Sequence, residues 1–183
     1  MMRKVIAAIN MTLDGYCDHT AITPDEEIHQ HYADLLSSGD IILYGRITYQ
    51  LMEYWPTVVK DPTGNKAMDD FAVIMDRLPK VVFSKTLKSI DWESAELADR
   101  SLEETVSTLR QQPGRNILVG SRSVILQLLK LNLVDEFQLC VHPVVAGSGL
   151  PLFENVTGGL AFKLLKTKSF GSGAVVFYYL PVR

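Results

Sequence analysis

Three short stretches gather the residue types that hold anions. "YGRITY" (44–49) offers Arg46 and Thr48 after Gly45, "FSKT" (83–86) offers Ser84 and Lys85, and "VGSRS" (119–123) offers Gly120, Ser121, Arg122 and Ser123. Each follows an apolar run of β-forming residues and reads as a strand handing over to a helix. There the free N–H groups of a helix start add to nearby hydroxyls and cations. In open α/β sheets, ligands collect at such carboxyl ends. One turn of this kind says little, because Gly and Ser are ordinary turn and N-cap residues. Three together suit an anion that bears several phosphates. Neither G-x-G-x-x-G nor G-x-x-x-x-G-K-[ST] occurs, so any dinucleotide seat is built without those fingerprints.

Other chemistries find less support. The four histidines lie at 19, 29, 31 and 142, and His29 and His31 point about 200° apart on a helix, too far round to chelate one ion. "CDH" (17–19) reads as a loop, and no metal site is expected. Cys17 and Cys140 are too few and too far apart for a disulfide framework or a Cys-x-x-Cys motif and read as free thiols. A formal charge of −3, with 18 Lys and Arg spread along 183 residues, gives no basic field for nucleic acid. No stretch approaches the roughly 20 apolar residues of a membrane span, and Asn10 and Asp14 interrupt the N-terminal apolar run before a signal core forms. A soluble, cytoplasmic protein is expected.

The elements that must position these turns follow from periodicity. With 47% apolar residues the chain can build one substantial core, and no linker or repeat divides residues 1–183. "KVIAAIN" (4–10) is a buried strand. Thr23, Pro24 and Glu26 form a capping box that predicts a helix to about Ser38, ended by Gly39, with Ile28, Tyr32, Leu35 and Leu36 as its apolar stripe. "DIILYG" is a second strand, apolar on both faces, followed by a helix from Arg46 to about Tyr54. "WPTVVKDPTGNK" reads as a loop and "AMDDFAVIMDRL" as a helix. "PKVVFSKTL" gives a third strand ending near Ser84. Ser101 with Glu104 caps a helix to about Gln112, "NILVG" is a strand, and "SRSVILQLLKLN" is a helix capped by Ser121. "LVDEFQLCVHPVV" is a long strand to Val144. After the loop "AGSGLPLFENVTGG", "LAFKLLKTKSF" and "GAVVFYYLPV" form an antiparallel hairpin. The fold class is α/β: a mixed sheet, parallel early and antiparallel late, with helices on both faces.

The order of "VIAAINMTLDGY", "YGRITYQ", "KVVFSKTL", "ILVGSRSVILQLL" and "LVDEFQLCVHPVVAGSGLPLF" resembles the dihydrofolate-reductase-like superfamily. Within it the chain is similar to the branch containing the reductase domain of the bifunctional riboflavin-biosynthesis deaminase/reductase. The likeness runs over nearly the whole chain. Its most specific parts are the Gly-Arg-x-Thr turn and "VDE", then "P" and "GSG" before "PLF".

What the resemblance implies is a sheet of about eight strands that binds NADPH. Gly45 would be part of the cofactor seat, Arg46 would meet the 2′-phosphate of the adenosine ribose, Thr48 would help hold the pyrophosphate, and Ser84 and Lys85 would flank the 2′-phosphate. Gly120 to Ser123 would wrap the pyrophosphate, although Gly120-Ser121 departs from the Gly-Gly of dihydrofolate reductases. Ala8 to Asp14 would meet the nicotinamide and substrate, with Asn10 on the substrate side. The acidic first-helix residue of dihydrofolate reductases has no match. His29 stands at that position and Asp25 lies one turn earlier, and either is a candidate proton donor. For each the plainer role is equally open: Asp25 is favoured in a first helical turn by the dipole, and His29 can simply face water.

Asp14, in "MTLDGY", either holds a substrate hydroxyl or is the turn Asp before Gly15. Trp55 is either a stacking surface for a planar substrate or a core anchor. The implied function is an NADPH-dependent reductase, homodimeric by resemblance, acting on a C=N or C=O bond of a small pterin- or pyrimidinone-like molecule. A non-catalytic NADPH or nucleotide-binding protein is the alternative, and an unrelated phosphosugar enzyme is a third. The zinc-bearing deaminase half of the bifunctional enzyme is absent from these residues.

Overall fold

In a computed structural model, which describes every residue except Met1, Asp18, Asn155, Thr157 and Arg183, the middle of the molecule is built by strands far apart in sequence. Strand β1 (Val5–Thr12) lies between β5 (Asn116–Val119) and β6 (Glu136–His142), parallel to both. Strand β2 (Gly39–Gly45) continues the parallel set beside β5, followed by β3 (Lys80–Phe83) and the three-residue β4 (Ala95–Leu97). On the other side β8 (Val175–Pro181) and β7 (Phe162–Ser169) add an antiparallel hairpin, giving one eight-stranded sheet in the order β4-β3-β2-β5-β1-β6-β8-β7. Lys163, Lys166 and Lys168 on the edge strand β7 place charge where a bare edge would otherwise recruit further strands.

Because successive strand residues point to opposite faces, the apolar runs divide into two cores. Val5, Ala7, Leu43, Ile117 and Val119 pack with Leu102 and Val106 of α5 (Leu102–Gln111) and Val124, Ile125 and Leu128 of α6 (Arg122–Lys130). Ile6, Ile42, Tyr44 and Leu118 face the other way, toward Ala33 and Leu36 of α1 (Glu26–Ser38) and Phe71 and Met75 of α4 (Lys66–Arg77). The expected helices on both faces and the late hairpin are present. The box of Ser101 and Glu104 forms as read: the Ser101 side chain accepts from the Glu104 amide and the Glu104 carboxylate accepts from the Ser101 amide.

Several boundaries differ for identifiable reasons. Helix α1 begins after Asp25, not Thr23, because the Asp25 carboxylate accepts from the Ile28 amide at 2.9 Å and takes the N-cap role. Pro24 stays outside the helix. The stretch read as a loop after Met52 starts with a short helix α3 (Trp55–Lys60), in which Pro56 is harmless because a first-turn residue needs no N–H partner. Helix α2 (Arg46–Met52) ends two residues earlier than expected. The chain leaves β3 for β4 without a helix, so "FSKT" is a turn only: Ser84 Oγ accepts from the amides of Thr86 and Leu87.

What holds that helix-free crossover is Lys80, 1% exposed. Its ammonium donates to the carbonyls of Met75 and Leu78, each at 2.6 Å, and to Ser94 Oγ at 2.8 Å, and lies 3.9 Å from the centre of the Trp92 ring. The last carbonyls of α4 are thereby satisfied by a side chain from the next strand.

His31, on the buried face of α1, was not among the expected stripe residues. It packs edge-on against Tyr32 and tilted against Phe170, with ring centres 5.2 and 5.5 Å away. Burial first, then Lys168, pushes its pKa down to about 4. An unfolded histidine titrates near 6.5, so between those values the unfolded chain takes up a proton that the folded chain refuses. Stability therefore falls as pH drops from about 6.5 to about 4. Melting curves at pH 7 and pH 4.5 should show a large drop in midpoint, and His31→Phe should shrink that drop. An unchanged drop would assign the acid sensitivity elsewhere.

Candidate functional site

All five strands β1, β2, β3, β5 and β6 run in the same direction, so their carboxyl ends share one edge of the sheet. The register sets Gly45 beside Phe83 and Leu43 beside Val119, which brings the turns after β2, β3 and β5 next to one another. Two of them touch closely. A Cβ on Gly45 would stand 2.8 Å from Ser123 Oγ and 3.0 Å from Ser121 Oγ, and one on Gly120 would stand 3.1 Å from the Tyr44 ring. Thr48 Oγ1 donates to Ser121 Oγ at 3.0 Å. Three hydroxyls and the N-terminus of α6, whose N-cap is Ser121, thus converge where bare backbone permits close approach.

The cations sit around this cradle unequally. Arg46 is exposed and, among the described residues, bonds only to the neutral Gln50 Oε1, at 2.9 Å. Lys85 is exposed, with no ion pair among the described residues. Arg122 differs from the sequence expectation of a free phosphate ligand. Its Nε donates to the Pro151 carbonyl at 2.5 Å and its Nη2 pairs with Glu154 at 3.0 Å, so its guanidinium is committed to the loop after β6.

Beside the cradle a cavity of about 600 Å³ opens between α1, α2, α4 and the ends of β1 and β5. Ala8 and Asn10 of β1, Thr48 and Gly120 reach it, as do His29 and Trp55. Of the two roles left open for Trp55, the packing anchor is present, its ring meeting Phe71 edge-on with centres 4.5 Å apart, and the residue also lines the cavity. His29 Nδ1 donates to the Asp25 carbonyl at 2.9 Å, which leaves Nε2 as its available nitrogen.

The two candidate carboxylates are engaged elsewhere. Asp25 caps α1, and the Ile28 amide foremost holds its pKa below the usual range, so it remains an anion and is a poor proton donor. Asp14 accepts from Thr12 Oγ1 at 2.6 Å and from the amides of Ala146 and Gly147 at 3.1 and 2.7 Å. It ties the loop after β1 to the loop after β6, a link extended by the Cys17 amide on Leu150 and the Leu152 amide on Gly15. The Thr12 hydroxyl foremost holds Asp14 down to about 2. Neither Asp14 nor Asp25 lines the cavity.

At the cavity floor Asn10, expected on the substrate side, is held by partners that the sequence did not place there. Asn10 Oδ1 accepts from Tyr32 Oη and from His142 Nε2, both at 2.9 Å, and Cys140 Sγ lies 3.5 Å from the same imidazole nitrogen. Burial lowers the pKa of His142 and raises that of the Cys140 thiol to about 12, so both are neutral. The signal was faint: Asn10 interrupts an apolar strand, and "CVH" places Cys140 and His142 two apart on β6. Register alone opposes Asn10 to Cys140 and Thr12 to His142. Of the Cys17–His19 stretch, Asp18 lies outside the described residues.

This strand order, with a cradle at the carboxyl edge and a deep cavity beside it, defines an α/β domain of the dihydrofolate-reductase-like type. The chain belongs to the RibD C-terminal domain family, whose profile matches residues 3–176. It is 35% identical to YyaP of Bacillus subtilis (strain 168), covering 97% of this chain and 94% of that one, and 28% identical to YwjB of the same organism, covering 97% and 98%. Among solved structures, a putative riboflavin biosynthesis protein from Shewanella sp. PV-4 superposes over both whole chains with a TM-score of 0.74 at 20% identity. A Thermotoga maritima protein described as a diaminohydroxyphosphoribosylaminopyrimidine deaminase/5-amino-6-(5-phosphoribosylamino)uracil reductase matches 99% of this chain with 57% of its own, at a TM-score of 0.68 and 17% identity.

The geometry of Asp14 makes it a clamp. Asp14→Ala should speed hydrogen exchange at the Ala146 and Gly147 amides. In the unaltered protein their protection should be present above about pH 4 and fall as the pH drops toward 2, because the carboxyl is held down in the folded state. Unchanged exchange in the variant would remove the clamp role.

Proposed function

We propose that this chain is an NADPH-dependent reductase acting on a C=N or C=O bond of a small planar heterocycle. The observation that carries the reading is the close approach of Gly45 to Ser121 and Ser123, with Thr48 bonded across it. The residues fit a dinucleotide: hydroxyls gathered where Gly45 carries no side chain, the start of α6 beside them, and uncommitted cations at the rim. Thr48, Ser121, Ser123 and the α6 amides would hold the pyrophosphate, and Arg46 with Ser84 and Lys85 the 2′-phosphate. Arg122 acts by fixing the Pro151 loop. The cofactor, when bound, supplies the hydride. The protein orients the acceptor between Asn10 and the Trp55 wall, excludes water with apolar side chains, and, when the His29 ring carries a proton on both nitrogens, can pass one from Nε2.

A second reading, a protein that binds the dinucleotide without turnover, draws on the absence of any carboxylate among the described residues lining the cavity. Oxidation of NADPH by pterin-, pyrimidinone- or quinone-like acceptors separates the two. A ligand present at a hundred times its Kd adds about 2.7 kcal/mol of stability, or roughly 5–10 °C in Tm at this size. NADPH should give such a rise, and Arg46→Ala should remove most of it while leaving any NADH shift intact. Equal loss for both dinucleotides would take Arg46 away from the 2′-phosphate.

A homodimer goes with this reading. The face of β7 and β8 that carries Phe162, Leu164, Phe177 and Tyr179 leaves Leu164 half exposed, and the exposed Phe153 meets Phe137, which packs on Phe162. Sedimentation should give a mass of about 41 kDa, twice the 20.5 kDa chain, and Leu164→Glu should halve it. A monomeric unaltered protein would refute the assembly.

A further inference from the structure

We propose that the substrate side of the cavity takes an uncharged, planar aromatic molecule without a phosphate, oriented by a hydrogen bond from Asn10; this rests on the reductase reading above. The wall is aromatic and aliphatic, its lining including His29, Trp55 and Phe71 together with Leu35, Leu51 and Met52. Among the described lining residues there is no Asp, Glu or Lys, and the single cation, Arg122, is committed to Pro151 and Glu154. A phosphomonoester brings about −1.5 to −2 charges at neutral pH. Such a charge enclosed without cationic or amide partners carries a large desolvation penalty. The cations left uncommitted, Arg46 and Lys85, do not line the cavity and stand on the cradle side. The Thermotoga maritima relative is named for a phosphoribosylamino-uracil substrate; this cavity provides for the ring and not for the phosphate.

The floor supplies orientation. Asn10 Oδ1 accepts from both Tyr32 and His142, which fixes the amide plane. Its Nδ2 has no partner among the described residues and is not sealed from solvent, so it is presented to the cavity as a donor. A carbonyl oxygen or ring nitrogen at the edge of a planar ligand meets that donor while its faces meet Trp55 and the aliphatic wall. Tyr32 and His142 are positioning residues for this contact.

Lumiflavin and FMN share one planar ring and differ in the ribityl phosphate, so they form a matched pair. Quenching of flavin fluorescence would be titrated at pH 8, which keeps histidine charge out of the comparison, with protein saturated in NADP⁺ after saturation is checked by a melt. Lumiflavin should bind at least tenfold more tightly than FMN. Asn10→Asp keeps the acceptor for Tyr32 and His142 and removes the donor, and should weaken lumiflavin at least tenfold. His29→Arg puts a cation in the wall and should narrow the gap by strengthening FMN. FMN binding as tightly as lumiflavin, or neither flavin binding, overturns the proposal. If NADP⁺ itself gives no shift in the melt, the reductase reading fails, and the same titration without dinucleotide still decides the ligand class.

Discussion

The contact on which the site depends is the approach of two turns across adjacent strands, β2 and β5. Gly45 has no side chain, and Ser121 and Ser123 fill that space with hydroxyls from the start of α6. A side chain at 45 would run into those hydroxyls and displace them, disturbing the Thr48–Ser121 hydrogen bond. The flanking register, Leu43 against Val119, fixes how far each turn projects, so a slip of one residue in either strand would also turn the apolar faces inside out. The core that clamps α6 to the sheet and the polar cradle are therefore enforced by the same strand pairing.

Charge is distributed by a similar logic. Around the cavity the ionisable groups are either neutral or occupied: Asp25 caps a helix, Asp14 clips two loops together, Arg122 anchors the loop after β6, and His142 is kept uncharged by burial. What remains for a ligand is a short set of polar atoms, the Asn10 amide as donor and His29 Nε2 as acceptor, in an apolar surround. Such a site discriminates by shape and by a few directed hydrogen bonds, since an apolar wall gives mainly area-proportional affinity and a buried donor penalises ligands that leave it unpaired.

Much of this was legible in the sequence, and the exceptions share a cause. Strands β1, β2 and β5 and the cap at Ser101 declare themselves through local periodicity and side-chain chemistry. The turns at 45–48 and 120–123 were recognisable because Gly, Thr and Ser have few reasons to cluster after buried strands. The failures came where distant residues decide. Asp25 outcompeted Thr23 as a cap. The Trp55 segment became helical by packing on Phe71, despite its proline. Lys80, which reads as an ordinary surface cation, is buried because three acceptors from α4 and the β3–β4 connection surround it. The Asn10, Tyr32 and His142 cluster draws on β1, α1 and β6, and no window of sequence contains all three.

The central position of β1 also shapes how the molecule comes into being. Its partners, β5 at 116–119 and β6 at 136–142, are synthesised some hundred residues after it. At about 5–20 residues per second this leaves an apolar strand waiting roughly 5–20 s on a growing chain. During that time β2, β3 and β4 can align with one another, but the gap into which β5 and β1 fit stays open. The cradle is divided between the turn after β2 and the turn after β5, so no nascent chain that stops short of Ser123 contains it. Whatever occupies the cradle can therefore stabilise only chains in which β5 has already joined β2, and not the early alignment of β2, β3 and β4.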